Sequence, residues 1–64
     1  MSLRELLELP RGTRVYCEGL DNGKPYSEHH ILFSAARVGE EILIINTFGM
    51  SWRGPLEDIH KVIL

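Results

Sequence analysis

The sequence predicts a mainly β domain: a small barrel of about five short antiparallel strands, capped by a short amino-terminal helix, with a helical turn before the last strand. Three observations lead there. Ile42-Leu43-Ile44-Ile45 is followed by Phe48, Met50 and Trp52, so the even positions from 42 to 52 keep a strand period with Asn46 as the polar interruption. Turn formers punctuate the chain at Arg11-Gly12, Asn22-Gly23, Gly39-Glu40 and Gly54-Pro55. A hairpin closed at Gly39-Glu40 also gathers Ile31, Phe33, Ala35, Ile42, Ile44 and Phe48 onto one face.

Composition sets the frame for these elements. Sixty-four residues, 44% hydrophobic and 25% charged, make one globular domain, with the helix in 1–9 and the barrel in 10–64. A chain this short buries only about 60% of the surface it exposes when unfolded, so its margin is thin. Small domains offset this with disulfides, a metal or a partner. Cys17 is the only cysteine, which excludes a disulfide within the chain and leaves association with another protein, or with itself, as the expectation. The net charge of −2 argues against nucleic-acid binding by bulk attraction to phosphate. The opening MSLRELLEL has acids among its leucines and lacks the features of a secretory signal, so a cytoplasmic protein without membrane contact is expected. A lone cysteine agrees with a reducing compartment.

The elements follow in order. Ser2 stands as N-cap with Glu5 in the capping-box position, and Leu3, Leu6 and Leu7 form a helical stripe that Pro10 ends. So short a helix needs a support, either as a lid on this barrel or on another chain. Thr13–Glu18 alternates as a strand with Thr13, Val15 and Cys17 on the core face. Residues 19–25 are dense in turn formers and read as a surface loop around Asn22-Gly23.

Tyr26–Val38 decides the fold. As a helix over 27–38 it would start at Ser27 and end at Gly39, giving an α+β domain. As a strand it enters the hairpin at Gly39-Glu40, pairing Arg37 with Ile42, Ala35 with Ile44, Phe33 with Asn46 and Ile31 with Phe48. The coherent apolar face favours the strand. Gly49 then marks a bulge where one long strand turns a corner, and Gly54-Pro55 ends it. Pro55–Ile59 opens as a helical turn, with a closing strand through Val62-Ile63 preferred over a longer helix.

The chemistry-bearing residues point away from catalysis. Cys17, His29, His30 and His60 lack the spacing of a zinc site, and adjacent His29 and His30 on a strand face opposite ways. No glycine pattern matches a phosphate loop, and Cys17 on the Val15 face reads as a buried, inert thiol. A non-enzymatic protein without metal or cofactor is therefore expected. Aromatic and arginine side chains near loops are the residues of recognition hot spots, and here they are Arg14, Tyr16, Tyr26, Trp52 and Arg53. Trp52 reads equally well as the largest core residue.

Over residues 10–64 this architecture resembles an SH3-like barrel. The resemblance is one of architecture, and such barrels host many unrelated functions. The expected function is a protein- or peptide-binding module acting as a small regulatory or adaptor subunit. The alternative is a small-barrel nucleic-acid-binding protein that uses Arg4, Arg11, Arg14, Lys24 and Arg53 with the tyrosines.

Overall fold

The computed structural model describes residues 1–62 and is a mainly β domain. A helix, α1 (Leu3–Glu8), precedes β1 (Arg14–Asp21), β2 (Lys24–Val38), β3 (Glu41–Asn46) and β4 (Ser51–Gly54), and a 3-10 turn at Leu56–Asp58 leads into β5 (Ile59–Lys61). All strand pairings are antiparallel, in the order β4-β3-β2-β1-β5. Among the described residues no ladder joins β4 to β5, so the expected barrel is, in its hydrogen bonding, an open sheet.

The capping box holds α1 as its residue types require. The Glu5 N–H donates to the Ser2 hydroxyl at 3.1 Å, and the Ser2 N–H donates to the Glu5 carboxylate at 3.3 Å. Leu6 is buried in the core with Leu3 and Leu9 packed against it, so the helix is a lid on its own sheet. The expected stripe needs one correction: Leu7 is 52% exposed, and Leu9, beyond the helix end, takes its place. Leu3, Leu6 and Leu9 share a side because the chain leaves the helix extended at Leu9.

The expected 19–25 loop is shorter than read. Strands run to Asp21 and resume at Lys24, leaving a tight turn with Asn22 at φ 51° and Gly23 at φ 81°. Positive φ at both central positions is the type I′ geometry that matches strand twist.

Residues 27–38 are strand, not helix, within the fifteen-residue β2. The Gly39-Glu40 turn sets the expected pairs Arg37–Ile42 and Ala35–Ile44, with Gly39 at φ 63°. Beyond them the register slips: Ser34 pairs with Ile45 but Leu32 with Asn46, so Phe33 is the extra residue of a bulge. The bulge inverts the alternation. Leu32 is buried where Phe33 was expected, and Phe33 lies 44% exposed with the Arg11 guanidinium 4.5 Å from its ring centroid.

A second correction concerns residues 40–55, which are a hairpin and not one bulged strand. Asn46 N–H donates to the Met50 carbonyl at 2.9 Å, and Gly49 takes φ 83° in the turn between β3 and β4. Because the hairpin returns on the same register parity, Ile42, Ile44, Asn46 and Trp52 all point inward. The core is Leu6, Val15, Cys17, Leu32, Ile42, Ile44, Trp52 and Ile59, drawn from the helix and every strand. The closing strand appears at Ile59–Lys61; the Ile63 end of its expected span lies outside the described residues.

Candidate partner-binding site

The polar interruption noted in the sequence is the centre of the site. Asn46 is buried, and its Oδ1 accepts the backbone N–H of Phe48 at 2.9 Å and of Met50 at 3.1 Å. With its oxygen so engaged, its Nδ2 faces the Nδ1 of buried His30 at 3.1 Å. An amide NH2 can only donate, so His30 Nδ1 accepts and its Nε2 carries the proton toward Glu28 Oε2 at 3.1 Å. Three side chains on two strands thus hold one turn in a single conformation. The network leaves no buried side-chain polar atom unpaired among the described residues.

What this turn presents is apolar. Phe48 is 77% exposed and Met50 61% exposed. They border a concavity of about 450 Å³ with Ile31 and Arg14, and the Thr47 N–H donates to the Ile31 carbonyl at 3.0 Å to tie the turn to β2. An aromatic and a thioether held out in water by a buried network contribute little to the fold, which makes them candidates for contact with another molecule.

The residues singled out from the sequence fall on three separate surfaces. Arg14 borders the Phe48 concavity. Tyr16 lies on the outer face of β1, its ring between His60 at 4.8 Å and His29 at 5.7 Å, in a groove with Glu5 and Glu8 of the helix. Tyr26, Trp52 and Arg53 come together beside β4, where Trp52 Nε1 donates to the Tyr26 hydroxyl at 2.9 Å. Trp52 itself is a core residue whose ring lies over Gly54. Phe48 was missed as a site residue because the hairpin register placed it on the apolar face with Ile42 and Ile44, and Met50, which continues the same alternation, was not singled out. Gly49, with Asn46 as the polar break just before it, was the signal that the strand had ended.

Neither cysteine nor histidine chemistry is concentrated here. Burial, with the charges of Glu28 and Asp58, pushes the Cys17 thiol up to about 12, so it carries no appreciable thiolate at neutral pH. His29 and His30 face opposite ways as the strand demands, and no group of three or more His, Cys, Asp or Glu side chains able to hold a metal occurs among the described residues. No helix among the described residues is long and apolar enough to cross a membrane. Comparison with protein-family models, with curated proteins and with solved structures finds no match.

Proposed function

We propose that this domain is a non-enzymatic protein-binding module, a small adaptor or regulatory subunit that docks a partner protein on the Phe48–Met50 turn. The observation that carries this reading is the pairing of exposure with rigidity. Phe48 and Met50 stand in water, while their own backbone N–H groups are held by the Asn46 side chain. Ordering a loop on binding costs free energy, and a turn already fixed avoids that cost. Arg14 at the rim supplies one charged contact beside the apolar centre.

The SH3-like barrel belongs to the same reading. It is supported by a meander whose last strand returns beside the first, and by the 3-10 turn just before that strand. The nucleic-acid alternative has less support, because the arginines are dispersed and mostly engaged. Arg4 pairs with Glu8, Arg53 with Glu41, Arg37 with the Gly39 carbonyl, and Arg11 lies over Phe33.

The test is affinity purification from the native host with the wild-type chain and with Phe48→Ser/Met50→Ser. A stoichiometric partner retained by the wild type and lost by the double variant supports the reading; a partner retained equally by both removes this turn as the docking site. Binding of single-stranded DNA or RNA at low salt, where the phosphate contribution is strongest, would favour the alternative instead.

A further inference from the structure

A second surface, independent of the Phe48–Met50 turn, lies along β4. The strand pairs with β3 on one side and with nothing on the other among the described residues. Which of its backbone groups are free follows from the ladder. Asn46 bonds to the Met50 carbonyl, and in an antiparallel pair the bonded positions alternate, so Trp52 opposite Ile44 and Gly54 opposite Ile42 continue the bonded set. The N–H and C=O of Ser51 and Arg53 therefore point away from the sheet. Such an edge is a template for one more strand.

The space beside this edge is a groove of about 400 Å³, walled on its far side by Asp21, Tyr26 and Glu28 of the β1–β2 arm. Its charge is unbalanced. Arg53, the cation of the lining, is held by Glu41 at 3.0 Å, and neither Asp21 nor Glu28 makes a salt bridge to a lysine or arginine among the described residues, although Lys24 stands opposite Asp21 across the β1–β2 pair. Glu28 receives a hydrogen bond from the neutral His30 tautomer, and that bond brings no positive charge. Asp58 adds to the same field, its carboxylate crowding Gly19 beside the Tyr26 ring. Tyr26 also keeps a free function: its oxygen accepts from Trp52, and its own O–H donates to nothing among the described residues. An aromatic face, a hydroxyl donor and two carboxylates make a receptor for an ammonium or guanidinium group next to a peptide carbonyl.

We propose that β4 is a docking edge for an extended, basic peptide segment of another protein, which adds as a sixth strand beside Ser51–Gly54 and places a lysine or arginine side chain between Tyr26, Asp21 and Glu28. Backbone bonds to Ser51 and Arg53 supply the affinity, and the acidic, aromatic wall supplies the choice of side chain. A second copy of this chain is a poorer occupant. Its own β4 carries Trp52, which its core requires, and Arg53, which Glu41 already holds.

The experiment is amide NMR on the full chain, titrated with a short capped peptide in which valine and threonine alternate around a central lysine. Saturable shifts at Ser51, Arg53 and Asp21 are expected, with cross-strand contacts from the peptide backbone to β4. Replacing the lysine by glutamate, or methylating alternate backbone nitrogens of the peptide, should abolish them. Asp21→Asn and Glu28→Gln, each checked for an otherwise native spectrum, should each weaken binding by about threefold. The proposal is overturned if millimolar peptide leaves Ser51 and Arg53 unmoved, if the glutamate peptide binds equally, or if the shifts centre on Phe48 and Met50. It is also overturned if Ser51 and Arg53 shift with protein concentration alone, since the occupant is then a second copy.

Discussion

The turn at Asn22-Gly23 and the turn at 47–50 do the same topological work by different physics. Each reverses an antiparallel pair and each leaves a large apolar residue in water nearby, Leu20 at 71% and Phe48 at 77% exposure. The first is made by backbone alone: Asn22 and Gly23 adopt positive φ, and a Cβ on Gly23 would meet nothing within 4 Å. The second is made by a buried amide that reaches forward to its own turn and across to His30 on β2. A turn of the first kind can be replaced by any residues that tolerate the backbone. A turn of the second kind is tied to the core, and whatever disturbs the core disturbs it.

The strongest way to break this contrast is Asn46→Ala. It removes the acceptor of two backbone N–H groups and leaves the Nδ1 of buried His30 without a donor. A loss of about 3 kcal/mol is expected from a buried network left unsatisfied. Chemical denaturation measures it, and amide exchange at Phe48 and Met50 should accelerate beyond the change in global stability. A loss no larger than that of a surface turn residue would erase the distinction between the two turns.

His30→Leu asks whether the link across to β2 matters. It leaves the Asn46 Nδ2 buried without an acceptor while filling the position with an apolar side chain, so about 2 kcal/mol is expected. The shape of the effect is more telling than its size. Exchange at Phe48 and Met50 should rise although no group they bond to was changed, while exchange around Asn22-Gly23 follows global stability alone.

Gly23→Ala tests the other turn. With open space around the position, only the positive φ opposes a side chain, and about 1 kcal/mol is expected. The loss should be confined to global stability, with no change in exchange at Phe48 beyond what that loss produces.

The same contrast explains what was legible in the sequence. The Asn22-Gly23 turn, the capping box at Ser2 and Glu5 and the Gly39-Glu40 hairpin are local devices, written in adjacent residues, and each stands where the residues place it. The register of the second hairpin held as far as Ala35–Ile44 for the same reason. It failed at Phe33, because a bulge is set by what the far end of the strand must pack against. Asn46 was visible as a break in the alternation, but its meaning depends on His30, sixteen residues earlier in the chain. Of the residues expected to bind, Tyr26, Trp52 and Arg53 are gathered in one groove, while Arg14 and Tyr16 lie elsewhere, since side-chain type marks a candidate and only the bent sheet decides its neighbours.

The smallest expected effect separates holding a turn from using it. Phe48→Ser and Leu20→Ser each remove an exposed side chain that the core does not touch, and each should change stability by less than about 0.5 kcal/mol. Their effects on association should differ. Phe48 sits on a turn whose backbone is fixed by Asn46, so its ring has a defined position to offer a partner, and the substitution should abolish docking there with the fold intact. Leu20 stands at the end of a two-stranded arm beyond the core, and losing it should leave that partner bound. If Phe48→Ser instead destabilises the domain by more than 1 kcal/mol or so, the ring belongs to the fold, and its exposure is not a sign of binding.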